Sequence, residues 1–330
     1  MILTNTQPLL SVIIPVHNTI SYFQTCLDSV CMQNISNIEI IVIDDASEDD
    51  IYSLIQKYEK DYNIIYKKLP IQSGPGGARN EGLDIATGKY IGFCDSDDWI
   101  DYNYYSVATT YMESSGADIG MCTQVREYDY WHNKKVYKCK YNEFLTVTKD
   151  VAFRTMTYQY QNGIKVIPPC INKIYRHDFI KKYHFRFERD MYFQDVYFSC
   201  QTLLHANKII CIPDVEYHHY KRNDSIIQSF DQKHMDDFAK LFTLIRDYLK
   251  TENLYETYCF NYYKFLEHFY NIIIREIFEF VVNDKERKTY IAYSFSKIKP
   301  LINFKEYIEF TSAEEIRQHI QPHITDTTLF

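Results

Sequence analysis

The first hundred residues alternate between short continuous apolar runs and stretches in which apolar residues recur every three or four positions. Leu10-Ser11-Val12-Ile13-Ile14, ended by Pro15, predicts a buried strand, and residues 20–33, with Phe23, Leu27, Val30 and Cys31, predict a helix. A second apolar strand, 38–43, runs into Asp44-Asp45; a helix over 48–61 (Ile51, Leu54, Ile55, Tyr58) and a strand at 64–66 follow. A Gly-rich turn leads to a helix over 76–87 and a fourth strand at 90–94. Apolar strands without polar alternation are buried on both faces, and their alternation with amphipathic helices predicts a doubly wound, mostly parallel α/β sheet.

Residues 118–226 are mixed, with strands expected at 117–125, 135–141 and 208–213 and helices near 148–158 and 192–204. From about 233 onward the pattern is helical and aromatic; one stripe carries Leu266, Phe269, Ile273, Ile277 and Phe280. Polar turn residues at 223–225 and 231–232 set the expected boundary between a catalytic domain, 1–229, and a helical C-terminal region, 230–330.

Composition narrows the class. The 330 residues are 46% hydrophobic and 24% charged, which excludes a disordered chain, a collagen-like fibre and a coiled-coil rod. Aromatic residues reach 16%, with 31 Tyr against 2 Trp, and tyrosine suits core edges and sugar- or base-facing surfaces. A net charge of -8 with no basic stripe argues against nucleic acid as a partner. The nine cysteines form no C-x-x-C, so reduced thiols are expected rather than zinc or disulfides. No basic leader follows Met1, and no apolar stretch approaches the roughly 20 residues of a membrane span. The expectation is a cytoplasmic protein that could also act at the inner face of the cytoplasmic membrane.

In open α/β sheets ligands bind beyond the carboxyl ends of the strands. Three polar clusters stand at such ends: Pro15-Val16-His17-Asn18, Asp44-Asp45-Ala46-Ser47 and Asp95-Ser96-Asp97-Asp98-Trp99. Turns and helix caps explain one such cluster well and three on one edge poorly. Carboxylates spaced as Asp95 and Asp97 repel each other unless a cation neutralises them, and a hard ion such as Mg²⁺ or Mn²⁺ that also grips a diphosphate needs few protein ligands.

Ser11 to Asn18, Ile41 to Ser47, Gly76-Gly77-Ala78-Arg79-Asn80 and Asp95 to Trp99 together resemble family 2 glycosyltransferases in order, spacing and strand context. The resemblance implies a GT-A fold, Rossmann-like with flanking helices. It also implies a nucleotide-sugar donor, UDP-linked by preference, a Mn²⁺ or Mg²⁺ cofactor and inversion at the anomeric carbon. On that basis 1–115 is the nucleotide-sugar half and 116–229 the acceptor half. Pro15, His17 and Asn18 would line the nucleotide pocket, with His17 standing where an aromatic such as Tyr is commoner, and Asp45 would accept a bond from the base. Arg79 would sit near the base or diphosphate, its alternative being a surface salt bridge; Asp44 is expected to be structural. Asp95 and Ser96 would contact the donor, Asp97 would hold the metal, and Asp98 and Trp99 would face the acceptor.

The second half carries the same resemblance. Phe193-Gln194-Asp195-Val196-Tyr197-Phe198 matches the family's base segment with Gln194 in place of Glu, and makes Asp195 the general base; a helix N-terminal Asp favoured by the dipole is its alternative. Cys170 to Arg176 and Tyr217 to Ile226 match two further stretches, bringing Lys173 and Arg222 to the donor and His219 forward as a second metal ligand or, alternatively, a core-edge hydrogen bonder. The implied activity is hexosyl or N-acetylhexosaminyl transfer to a glycan or glycolipid in cell-surface polysaccharide, capsule or lipooligosaccharide synthesis. The rivals are a nucleotidyltransferase, which lacks its early Gly-rich basic loop here, and an inactive sugar-nucleotide-binding scaffold, disfavoured by the retention of Asp97 and Asp195. For 230–330 the readings are packing on the catalytic domain, homo-oligomerisation and peripheral membrane association.

Overall fold

The computed structural model describes residues 7–127, 135–157, 164–220, 230–303 and 306–307. They fall into two units, 1–156 with 160–223, and 157–159 with 224–330. The first unit begins with β1 (Leu10–Val16), buried along its whole length. It continues through α1 (Ile20–Cys31), β2 (Ile38–Asp44), α2 (Ile51–Ile55), β3 (Ile64–Lys68), α3 (Gly74–Ile85) and β4 (Tyr90–Phe93). α1 buries Phe23, Cys26, Leu27, Val30 and Cys31, the stripe its spacing predicts. α2 is shorter than expected: Asp50 caps it, and the chain turns polar and exposed after Ile55.

Pro15 does not end β1. The ladder with β4 stops at the Ile13–Phe93 pair, whereas pairing with β2 continues through Pro15–Ile43 to Val16–Asp44. A proline can lack its N–H without breaking a ladder at such a place.

Next come β5 (Trp99–Ile100), α4 (Tyr104–Ser115), β6 (Ile119–Glu127), β7 (Lys135–Cys139), β8 (Leu145–Val147) and α5 (Lys149–Met156). β9 (Lys173–Arg176), α6 (His177–Tyr183), α7 (Gln194–His205) and β10 (Ile209–Tyr220) complete the unit. The strands form one sheet in the order β3-β2-β1-β4-β9-β6-β10-β5, with β7 beside β6 and β8 beside β10. The N-terminal strands pair in parallel, as the apolar runs predict. Beyond β4 the sheet is mixed, because β9 runs antiparallel to both β4 and β6.

Two reversals restore the direction. β6 therefore runs with β4, and β10 pairs with β6 in parallel. The carboxyl ends of β1, β2, β4, β6 and β10 consequently share one sheet edge. The chain also switches from the β2 side of β1 to the β4 side, which opens a crevice between the ends of β1 and β4. α3 lies close against β1: a Cβ on Gly82 would stand 2.4 Å from Ile13 Cγ2.

The second unit is helical: α8 (Gln232–Thr251), α9 (Tyr255–Phe280), α10 (Asp284–Ile298) and a short 3₁₀ turn, Lys299–Leu301. Asp231 and His234 cap α8 reciprocally, side chain to backbone in each direction. Its core is aromatic, with the Phe242 ring 5.6 to 5.9 Å from those of Tyr262, Phe265 and Phe269. Among the described residues no helix is long and apolar enough to cross a membrane.

Candidate active site

The loops after β1 and β2 are tied together. A carbonyl can only accept, so His17 Nδ1 carries the proton it donates to the Asp45 carbonyl at 2.8 Å. Asn18, left-handed at φ +50°, takes the Glu48 amide on its Oδ1 at 2.8 Å and donates its own amide to Ser47 Oγ. Asp45 is buried, with Oδ1 held by the Ser73 amide and hydroxyl at 2.7 and 3.0 Å. Asp44 is structural as expected: fully buried, it accepts from the Ser47 amide and the Tyr66 hydroxyl.

The segment after β4 divides its polar residues between site and scaffold. The Asp95 side chain is part-exposed and Asp97 half-buried. Asp98 corrects the expectation of an acceptor contact. It is fully buried, and its carboxylate accepts from the Tyr217 hydroxyl at 2.7 Å, the Tyr220 amide at 2.9 Å and His219 Nδ1 at 3.3 Å. A carboxylate so enclosed and engaged has no face for an acceptor. Ser96 is likewise buried, its hydroxyl engaged with Thr19 Oγ1 at 2.8 Å, so its side chain fastens this segment to the start of α1 instead of reaching a donor. Trp99 is half-buried and stacks on His218 at 5.3 Å; the His218 ring nitrogens face Glu127 and Asp101, each at 3.0 Å.

Lys173 is the third correction. Burial pushes its ammonium down to about 8, and its three protons meet the Ile167 and Pro169 carbonyls and Asn172 Oδ1 at 2.7, 2.5 and 3.1 Å. An ammonium has three donors, and all are committed inside the protein. Lys173→Met, which keeps the stem and removes the donors, should lower unfolding free energy by about 3 kcal/mol or more. Urea unfolding measures it. Unchanged stability with lost nucleotide binding would restore the donor role.

Arg79 is neither on the surface nor free. It is buried in α3, with Nη2 donating to Asp95 Oδ1 at 2.5 Å and the guanidinium 5.5 Å above the Phe187 ring. Burial works against its charge most strongly, yet its neighbours, Asp95 first and Asp195 among them, together outweigh that and hold the proton more firmly than usual. Its Nε and Nη1 are buried without partners.

The Gly-Gly-Ala-Arg-Asn stretch has a role that the sequence left unread: it docks the segment leading to α7. The Asn80 side chain donates to the Phe187 carbonyl at 2.8 Å and accepts from the Phe187 amide at 2.9 Å. A Cβ on Gly76 would stand 2.2 Å from the Glu188 carbonyl oxygen, so only glycine admits that approach. The docked segment delivers Asp195 in the first turn of α7, where its Oδ1 accepts the Val196 amide. Burial raises the Asp195 pKa; the Arg79 charge pulls it back, and the Asp95 charge pushes it up again. Asp195 and Asp95, far apart in sequence, thus act on one buried guanidinium.

A divalent cation at this edge would be met by Asp97, after β4, and His219, near the end of β10, with substrate oxygens needed to complete its shell. His219 Nδ1 is turned toward Asp98, the arrangement in which a carboxylate orients an imidazole whose other nitrogen binds metal. Burial disfavours the charged ring, but Asp98, with Asp97 adding to it, raises the His219 pKa above the ordinary histidine range, so a cation bound there would have to displace the ring proton. Among the described residues no group of three or more His, Cys, Asp or Glu forms a self-contained cage. Arg222 lies outside the described residues.

A mixed α/β sheet with this carboxylate-lined edge defines a GT-A-like enzyme class. The family model for glycosyl transferase family 2 matches residues 11–184, and the chain belongs to that family. Among its relatives, the cholesterol galactosyltransferase of Borreliella burgdorferi is 26% identical over 92% of this chain and 86% of its own. The uncharacterized glycosyltransferase YibD of Escherichia coli is 26% identical over 77% and 72%. Among solved structures, Staphylococcus aureus TarS in complex with UDP-GlcNAc superposes with TM-score 0.70 at 21% identity, over 93% of this chain and 85% of that one. A Pyrobaculum calidifontis mannosyltransferase in complex with GDP-Man and Mn²⁺ gives TM-score 0.51 at 12% identity, over 97% and 83%.

Proposed function

We propose that this family 2 glycosyltransferase moves a sugar from a UDP-sugar to a hydroxyl of a glycan or glycolipid, with inversion, in the assembly of a cell-surface polysaccharide. The observation that carries the reading is the convergence of Asp95, Arg79 and Asp195, from β4, α3 and α7, at the end of the parallel strands. The UDP-GlcNAc complex of TarS and the GDP-Man complex of the mannosyltransferase support a nucleotide-sugar donor on this fold.

The nucleotide would lie across the β1 and β2 ends, with His17 against the base and the Asp45 oxygen not held by Ser73 accepting a base N–H. Asp95, braced by Arg79, would take a donor hydroxyl. Asp97, with His219, would hold a Mn²⁺ or Mg²⁺ ion, which when bound neutralises charge on the departing diphosphate. Asp195 would take the acceptor's hydroxyl proton as that oxygen bonds to the anomeric carbon and the bond to the diphosphate breaks, so UDP leaves with the pair of electrons. The raised Asp195 pKa suits this role, because a stronger base accepts the proton more readily.

Incubation with a panel of UDP-sugars and Mn²⁺ is the direct test. UDP release, slow in buffer and faster with a glycan acceptor, is expected for at least one donor. Donor binding without release or transfer would favour the inactive scaffold, and no binding of any donor would overturn the reading.

A further inference from the structure

The same sheet edge carries a cationic group that this chemistry leaves unused. Arg126, near the end of β6, pairs in register with His219 of β10, and Gln124 pairs with Tyr217. Side chains alternate along a strand and paired residues share a face, so these four project from one side of the sheet. Tyr217 and His219 both reach the Asp98 carboxylate, which turns that side toward the 95–98 segment. Glu127 and His218, of opposite parity, meet each other on the other face at 3.0 Å.

Two polar atoms in this group are buried without a partner: Arg126 Nε and Gln124 Oε1, the glutamine being only 3% exposed. Each such atom costs about 1–3 kcal/mol of desolvation if nothing ever fills it. A guanidinium offers a planar fork of donors that matches an oxyanion, and a neighbouring amide oxygen can accept a hydroxyl. Together they fit a hydroxylated anion such as a sugar phosphate or an acidic sugar.

Position selects which substrate carries that anion. The nucleotide loops follow β1 and β2, whereas β6 lies beyond β4 and β9 on the opposite flank of the Asp97 segment. We propose that Arg126 and Gln124 form a subsite for an oxyanion on the acceptor, so that the acceptor is an anionic glycan or glycolipid. This rests on the glycosyl-transfer reading of the edge.

The buried Arg126 Nε–H gives a probe that does not depend on turnover. Its ¹H–¹⁵N signal, identified by its loss in R126K, is followed in the full chain while inorganic phosphate or glucuronate is added with UDP and Mn²⁺ saturating. At least one anion should shift the signal saturably. R126Q should weaken that anion about tenfold or more and leave UDP affinity within about twofold. An unmoved signal with both anions overturns the proposal. So does competition between the anions and UDP, which would assign the guanidinium to the donor diphosphate. If UDP fails to bind, the donor reading has failed separately, and the same titrations without UDP still decide whether Arg126 takes an oxyanion.

Discussion

Asp195→Asn should reduce glycosyl transfer by about 10²-fold or more while donor affinity stays near the wild-type value. The change preserves shape and the acceptor oxygen for the Val196 amide, so the first turn of α7 has no reason to move. It removes only the ability to take a proton. Calorimetry with UDP and single-turnover transfer measured together separate the two consequences. An equal loss of UDP affinity would make Asp195 a structural carboxylate, and full activity would reject the role. The pH profile supplies an independent check. Transfer needs the ionised carboxylate, so activity falls as pH drops through the Asp195 pKa. Burial raises that pKa, so the acid limb should lie above the range of a solvent-exposed aspartate, about pH 4, and should be absent from what activity Asp195→Asn retains. Arg79 pulls in the opposite direction and limits how far the limb climbs.

That the polar sheet edge is legible in the sequence and the committed ammonium of Lys173 is not comes down to where each residue's partners lie. β1, β2 and β4 are written as mostly apolar runs because they are buried on both faces, the buried Ser11 and Glu39 satisfying each other, and the polar residues that follow them reach the expected edge. β9 and the two-residue β5 carry no such signature; they exist because neighbouring strands offer ladders, which no local pattern encodes. The same limit separates Asp97 from Asp98. Adjacent aspartates look alike in sequence, and Asp98 becomes scaffold only because Tyr217 and the Tyr220 amide arrive from β10. Lys173 sits inside a motif, but the carbonyls that consume its protons belong to the loop at 167–169, whose path the motif does not set. Gly76 and Asn80 stand in a recognisable string, whereas their role as a dock for 187–188 needs the tertiary approach. Arg126 and Gln124 were invisible for a related reason. Their shared face with His219 depends on the β6–β10 register, which shifts at an irregularity between Ile212 and Glu216.

Asp97→Ala should abolish the part of UDP binding that depends on Mn²⁺ and lower transfer by at least about 10²-fold. Two carboxylates at one strand end are treated differently by the fold: Asp95 already has a buried guanidinium at 2.5 Å, so its charge is balanced by the protein itself. Elsewhere in the 95–98 segment Ser96 is engaged with Thr19 and Asp98 with β10. On the proposed reading Asp97, half-buried at this edge, is the carboxylate that would hold the divalent ion, with His219 held nearby through Asp98. Removing it should leave contacts to the nucleoside intact, because His17 and Asp45 are fixed by the β1 and β2 loops and by Ser73. Titrations of uridine, UMP and UDP, each with and without Mn²⁺, make the distinction. In the variant, uridine affinity should match wild type, and the Mn²⁺-dependent gain for UDP should vanish. Undiminished turnover in Asp97→Ala would remove the metal from this edge, and loss of uridine binding would show that Asp97 shapes the nucleotide loops instead.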